Sequence, residues 1–173
     1  MPFVEIFTRE RLPDEARGTL AEALTTTMIE IEVGEVTDDA REISLIWFHT
    51  LGETGWVTGG RLDDRYRKSR KFALARIITP EAFLTPELKQ RAIREVTTHL
   101  REALGAGPED DGKGIWVLVI EVPEGQWGAG GEVIRLADVI RTMRGTVSPE
   151  RRAGMDRHFE GYAAMKAQFG IPD

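Results

Sequence analysis

Residues 127–131 read Trp-Gly-Ala-Gly-Gly, and residues 56–60 read Trp-Val-Thr-Gly-Gly. The two stretches lie 71 residues apart (127 minus 56), and the strand-like segments 4–6 (Val-Glu-Ile) and 75–77 (Ala-Arg-Ile) keep the same offset. A spacing shared by two pairs of segments is typical of an internal duplication. The repeat therefore predicts two similar units, one after the other in the chain.

The first unit has the order strand, helix, strand. Residues 2–8 alternate apolar and polar side chains, and a proline is tolerated at the first position of a strand. Pro13 and the two acidic residues after it are typical of a helix start, and apolar residues then recur at helical spacing through Ile31. Residues 43–48 are rich in residues that favour strands, so they predict the second strand.

The second unit repeats this order. Residues 72–78 predict a strand, and residues 85–87 (Thr-Pro-Glu) supply an N-cap, a first-turn proline and an acid for a helix that continues through Leu104. Residues 115–120 are apolar at every position, which predicts a strand that is covered on both faces.

These elements predict an α+β fold, a tandem β-α-β duplication with four strands in one sheet and both helices on the same face. We place the first unit at residues 1–66 and the second at residues 67–146, within a single compact domain. Residues 147–173 open with a capping serine and a proline and predict a C-terminal helix. Because the other face of the sheet lacks a cover, we expect a symmetric oligomer around it.

Composition excludes several classes of protein. The 173 residues carry 23 Lys and Arg against 29 Asp and Glu, a net charge of −6, and no cysteine. The acidic balance argues against nucleic acid as a partner, and the lack of cysteine excludes disulfides, thiolate nucleophiles and cysteine-based zinc sites. No apolar run is long enough to span a membrane, and the acidic start is unlike a secretory signal. We therefore expect a cytoplasmic protein that has no membrane partner.

The remaining polar motifs predict no metal or cofactor. His49, His99 and His158 have no ligand spacing, and the paired glycines lack the context of a phosphate loop. The basic stretch 61–71 is interleaved with two aspartates and predicts a solvated connection between the units, with anion recruitment as the less favoured alternative.

Pro2 is the residue that can supply unusual chemistry. If Met1 is removed, Pro2 presents a secondary amine at the chain end; such amines titrate near pH ~8, and an apolar site with neighbouring cations lowers that pKa. A neutral amine can act as a general base. If Met1 is retained, the proline nitrogen is an amide and this chemistry is impossible.

The Met1-Pro2 start resembles the tautomerase superfamily, founded on the 4-oxalocrotonate tautomerases. Two further segments share the resemblance: Arg11 with the acids at the first helix, and Gly-Gln-Trp-Gly-Ala-Gly-Gly-Glu at residues 125–132. The resemblance covers residues 2–142 and looks like the fused members, which include malonate semialdehyde decarboxylases and cis-3-chloroacrylic acid dehalogenases.

The resemblance implies a homotrimer that needs no cofactor and has a site beside each amino-terminal proline. It implies that Pro2 acts as general base or acid on a small carboxylate-bearing keto, enol or unsaturated acid, as in a keto–enol isomerase. Arg11 then contacts the substrate carboxylate, and Trp127 makes one side of the site apolar. Arg76, across from Glu5, is the nearest second substrate-binding cation, with a structural ion pair as the alternative.

Three positions depart from the family pattern. The arginine of small members falls at Leu45 and Trp116, the arginine pair of fused members falls in residues 78–81, which contain none, and the helical histidine of the dehalogenases aligns with Met28. Besides a tautomerase, the sequence thus leaves open a hydratase, dehalogenase or decarboxylase of the same superfamily. It also leaves open a catalytically inactive trimer and a ferredoxin-like ligand-binding module.

Overall fold

The computed structural model describes residues 3–67, 69, 71–142 and 147–171. One mixed sheet contains four strands: β1 (Phe3–Thr8), β2 (Leu45–Thr50), β3 (Ala73–Pro80) and β4 (Ile115–Val122). Their order is β2-β1-β3-β4, with β1 parallel to β2, β3 parallel to β4, and β1 antiparallel to β3. The predicted four-stranded α+β fold is confirmed.

Helices and a hairpin complete the described part of the chain. The helices are α1 (Asp14–Val33), α2 (Asp38–Glu42), α3 (Pro86–Ala103), α4 (Leu136–Thr142) and α5 (Pro149–Phe169), with a short 3₁₀ turn at Asp64–Tyr66. The hairpin pairs β5 (Trp127–Ala129) with β6 (Glu132–Ile134). None of the helices in the described ranges combines the length and apolar character needed to cross a bilayer.

The two predicted N-caps are present. The Thr85 hydroxyl accepts a hydrogen bond from the Leu88 amide at 3.3 Å, and the Ser148 hydroxyl accepts one from the Arg151 amide at 3.3 Å. A third cap lies where the sequence suggests only a polar break: the Thr37 hydroxyl accepts from the Ala40 amide at 3.2 Å and begins α2. This extra helical turn delays the start of β2 relative to the predicted strand.

Helices α1 and α3 pack together on one face of the sheet and bury its apolar side chains. The buried apolar residues of this cluster include Val4, Ile6, Leu20, Leu24, Met28, Ile31, Ala75, Ile77, Ala92, Val96 and Leu100. Full burial of one large aliphatic side chain contributes about 1.5–3 kcal/mol to stability. The interior between the helices and this face of the sheet is therefore the main source of folding energy.

The opposite face of the sheet is uncovered in the part of the chain that the structure describes. Trp116 is 63% exposed and Trp47 is 46% exposed, and Leu118 and Ile120 are exposed beside them. Strand β4 is an edge strand with one bare face, so the prediction that it is covered on both sides is wrong for the single chain. Its uniformly apolar sequence is what burial against another chain requires.

A second apolar cluster lies beneath the first half of α5. Phe83, Val139 and Met155 are buried there. The predicted C-terminal helix buries only part of its apolar side chains, because Tyr162 and Met165 are exposed. The first turns of α5 thus dock on this chain, and its later turns do not.

The buried side chain of Leu24 provides a test of this interior. Leu24→Ala removes a fully buried side chain from between the helices and the sheet, and we expect it to lower the free energy of unfolding by about 2–5 kcal/mol. Urea unfolding followed by circular dichroism measures the change. The control is Leu62→Ala at an exposed position, where we expect a change of about 0.5 kcal/mol or less. Equal losses in the two variants would contradict the assignment of the core.

Candidate functional site

Three aromatic side chains meet where β1 begins. The Phe3 ring lies 5.9 Å from the Trp47 ring and 5.2 Å from the Trp127 ring, measured between centroids. Trp127 meets Phe3 edge to face, and its indole Nε1 is buried without a hydrogen-bond partner among the described residues. Pro2 itself lies outside the described residues. The structure therefore brings Trp127 to the first described residue after Pro2.

The β5–β6 hairpin holds Trp127 in this position. Trp127 pairs with Ile134 across the hairpin, and the turn passes through Gly130 and Gly131, whose φ angles are 63° and 87°. Side chains larger than hydrogen are strained at such φ values. Gly130 and Gly131 belong to the repeated segment 127–131. The turn that positions the Trp127 indole requires them.

A fully buried carboxylate lies at the same level of the sheet. Glu32, near the end of α1, is 0% exposed, and the Thr79 hydroxyl donates a hydrogen bond to its Oε1 at 3.2 Å. Thr79 follows Ile78, which pairs with Phe3. A buried carboxyl group needs hydrogen-bond partners of this kind. Glu32 is therefore buried and hydrogen-bonded within the fold, at the end of the sheet where β1 begins.

The sequence analysis did not identify Glu32, although it contains a signal. Leu24 and Met28 occupy the apolar stripe of α1 at a spacing of four residues, and Glu32 continues the same spacing with a carboxylate. An acid in line with a buried stripe indicates either a local end of the core or a functional group.

Arg151 fastens α5 to this end of the molecule. Its Nη2 donates to the Phe83 carbonyl at 2.7 Å, its Nη1 donates to the carbonyls of Ile31 and Glu32, and its guanidinium lies over the Phe83 ring. Burial lowers the pKa of Arg151, and the nearby Glu32 charge partly offsets that shift. Because both of its Nη groups donate to backbone carbonyls, Arg151 has a structural role here.

Arg76 lies on the bare face of the sheet, directly opposite Glu5. Its Nη1 is 3.5 Å from Glu5 Oε2, and its guanidinium is 5.1 Å from the Phe7 ring centroid. The His49 ring stacks on the same Phe7 ring, and its Nε2 is 3.6 Å from Glu5 Oε1. Arg76 pairs with Glu5, and Glu5 lies two residues from Phe3 on the same face of the sheet. Arg76 therefore shares this face with Phe3 and forms an ion pair with Glu5.

Arg11 lies at the far end of β1 from Phe3. The strand has six residues and spans roughly 17–20 Å, and Arg11 follows its last residue, Thr8. Its Nη2 is 2.8 Å from Asp14 Oδ1, and the Arg11 guanidinium lowers the pKa of that carboxyl group. Within one chain, Arg11 and Trp127 therefore do not belong to the same site.

Arg135 is a cation near Trp127 that sequence reasoning missed. It directly follows β6, one residue after the partner of Trp127, and its side chain is largely exposed. Its Nη1 is 4.0 Å from Glu124 Oε1, so the pairing is weak. No motif marks it, because its position depends on the hairpin.

Among the described residues, no group of three or more His, Asp or Glu side chains is placed to hold a metal ion. This end of the sheet has an apolar aromatic wall and nearby arginines on one face, and a buried carboxyl group on the helix-covered face. Such a site suits proton transfer on a small anion.

Comparisons with known proteins agree with this arrangement. Residues 74–137 match the family model described as tautomerase enzyme, a range within the second unit that includes Trp127 and Arg135 but not Pro2. No curated protein matches the sequence.

Solved structures show the same fold. A fused 4-OT asymmetric trimer matches with a TM-score of 0.61 and 19% identity over 76% of this chain and 94% of that chain. The protein N1, a member of the cis-3-chloroacrylic acid dehalogenase family, matches with a TM-score of 0.63 and 18% identity over 89% and 99% of the two chains. Pt0534 inactivated by 2-oxo-3-pentynoate matches with a TM-score of 0.61 and 16% identity over 79% and 98%.

The chain therefore has a two-unit β-α-β fold with an aromatic cluster where β1 begins. Residues 74–137 thus match the tautomerase family model, and the described fold is the one seen in the fused 4-OT structure and in the cis-3-chloroacrylic acid dehalogenase family member.

Proposed function

We propose that the protein is a cofactor-independent enzyme of this superfamily in which Pro2 transfers a proton on a small carboxylate-bearing keto, enol or unsaturated acid. The observation that carries the proposal is the placement of Trp127 and Trp47 against Phe3, the residue that follows Pro2. An apolar wall beside a chain-end amine favours the neutral amine, and a neutral amine can accept a proton.

The electrophile named for one structural neighbour suggests a chemical probe. Pt0534 is inactivated by 2-oxo-3-pentynoate, a 2-oxo acid with a conjugated alkyne. A secondary amine adds to such an alkyne and becomes covalently attached, whereas an amide does not. The reagent therefore tests whether Pro2 of this chain has a free amine.

Substrate carboxylates need a cation, and the site offers two. Arg76 lies on the face of the sheet that carries Phe3, and Arg135 follows the hairpin that carries Trp127. Arg11 reaches the same site only from another copy of the chain, because it lies at the opposite end of β1. A carboxylate held by one of these guanidinium groups would place its keto or enol carbon against the aromatic wall.

Pro2→Ala tests the proposed general base. We expect the native chain to have lost Met1, to tautomerise phenylpyruvate and to gain one 2-oxo-3-pentynoate adduct on Pro2. Pro2→Ala should lower kcat by about 100-fold or more, which is the usual contribution of general acid–base catalysis. Intact-mass and peptide-mass spectrometry locate the adduct, and an enol absorbance assay measures the rate.

Two results would overturn the assignment. Undiminished activity in Pro2→Ala would remove the catalytic role of Pro2. A native chain that retains Met1 and forms no adduct would favour the inactive, ligand-binding alternative. Activity on an unsaturated acid without tautomerisation would instead favour the hydratase, dehalogenase or decarboxylase alternative.

Glu32 is proposed as a positioning residue for the Pro2 amine. A buried negative charge near an amine stabilises the protonated form and raises the amine pKa. Glu32→Gln keeps the shape and the Thr79 contact while it removes the charge. We therefore expect the acidic limb of the kcat/KM profile to move about one pH unit or more towards lower pH.

The matched control for this change is Glu30→Gln. Glu30 lies on the same helix but has an exposed side chain that contacts Arg91 at 3.8 Å. We expect its pH profile to coincide with that of the native enzyme. If Glu32→Gln also leaves the profile in place, Glu32 has only a structural role.

We further propose that the bare face of the sheet is buried in a homotrimer, the assembly named for the fused 4-OT neighbour. Leu118→Lys puts a charge into the exposed apolar surface of β4 and should dissociate the oligomer. Size-exclusion chromatography with light scattering measures the mass. Ile93→Lys, at an exposed position on α3, should leave the oligomer intact. A native monomer would refute the proposed interface.

A further inference from the structure

A large cavity lies at the end of the sheet opposite the aromatic site. It has a volume of about 860 Å³ and opens where β1 ends and β3 begins. Counting 71 residues on from Pro2 gives Ala73, the first residue of β3. The cavity therefore lies at the start of the first strand of the second unit. The equivalent position in the first unit is the start of β1, which Pro2 precedes.

The cavity walls are cationic. Four cationic side chains, Arg9, Arg11, Arg67 and Lys71, line it against two carboxylates, Glu10 and Asp64. This local excess of positive charge occurs in a chain with a net charge of −6. Clustered positive charge in a concave site concentrates small anions.

Arg67 is the most informative of these residues, because its side chain is only 4% exposed. Its two Nη atoms are held by Asp64 Oδ1 at 2.5 Å and by the Trp56 carbonyl at 2.8 Å. Its Nε is buried and has no hydrogen-bond partner among the described residues. A buried donor without a partner costs stability, and Arg67 is one of the residues that line the cavity. The prediction that the whole basic stretch is solvated is therefore wrong for Arg67.

Arg9 and Lys71 repeat this pattern in a weaker form. The Arg9 Nε is also buried without a partner, and Arg9 Nη1 is 3.5 Å from the shared Asp64 Oδ1. The Lys71 ammonium has no ion-pair partner within the described ranges. One exposed aspartate thus serves two guanidinium groups, and positive charge is left over inside the cavity.

The cavity also has an apolar side. Leu12, Phe72 and Leu104 line it, and the Phe72 ring lies 5.8 Å from the Trp56 ring and 5.7 Å from the Arg67 guanidinium. Trp56 is the repeat counterpart of Trp127. Both ends of the sheet therefore combine an aromatic wall with a strand start, and at this end Arg9, Arg11, Arg67 and Lys71 line one cavity.

We propose that this cavity binds a small organic carboxylate with an apolar body, at a second site that contains no chain-end amine. Guanidinium and ammonium groups take the carboxylate, and Phe72, Leu12 and Leu104 take the apolar body. The nitrogen at the start of β3 is a peptide amide, so the site binds without proton transfer. The inference does not depend on the chemistry of Pro2.

Calorimetric titration with phenylacetate tests the site. We expect saturable binding of phenylacetate at the cavity, beside any binding at the aromatic site, and no binding of phenylacetamide there, because phenylacetamide has the same shape without the charge. Arg9→Gln and Lys71→Gln should each weaken phenylacetate binding by about tenfold or more, because each removes a charge-assisted contact. Thermal melts of each variant confirm that it is folded, and either variant alone is sufficient for the test.

Two controls separate this site from the others. Arg61→Gln removes a cation from the same basic stretch, but Arg61 pairs with Asp63 and does not line the cavity, so binding should be unchanged. Pro2→Ala should also bind phenylacetate as tightly as the native chain, whether or not it has lost activity.

The proposal is overturned if phenylacetate does not saturate the protein, or if phenylacetamide binds equally well. It is also overturned if Pro2→Ala abolishes binding while Arg9→Gln and Lys71→Gln leave it unchanged, because binding would then belong to the aromatic end of the sheet.

Discussion

The antiparallel pairing of β1 with β3 is the contact on which the rest of the structure depends. It joins the two β-α-β units at the centre of one sheet, with Phe3 opposite Ile78 and Thr8 opposite Ala73. Because each unit makes its own parallel crossover, this single junction places both helices on one face and leaves the other face bare. The apolar interior and the exposed surface of β4 both follow from it.

The same pairing sends the two strand starts to opposite ends of the sheet. One end carries Trp127 beside Phe3, the residue that follows Pro2, with the buried Glu32 on the helix-covered face of the sheet. The other carries Arg67 and its neighbours around a cavity where β3 begins. Duplication thus produced two related places with different charge. Proton transfer is proposed at the first and carboxylate binding at the second, since only the first can have a chain-end amine.

Local signals in the sequence predicted most of the fold. The caps at Thr85 and Ser148 and the two strand–helix–strand patterns need only neighbouring residues, and they agree with the structure. Helix α2 was missed because a cap followed by five helical residues resembles a polar turn. The interpretation of β4 failed for another reason: an apolar strand is buried on both faces only when something covers it, and the described residues of this chain cover one face.

For the site, the sequence by itself determined that Pro2 and Trp127 are the residues to examine and that two similar units carry them. Only the tertiary structure decided which residues meet. Arg11 follows Pro2 by nine positions yet lies at the far end of β1, because an extended strand separates them. Glu32 and Thr79 are far apart in the chain yet share a hydrogen bond, because α1 returns across the sheet. Sequence patterns record local periodicity and repeats, whereas distances between elements are set by strand pairing and helix packing.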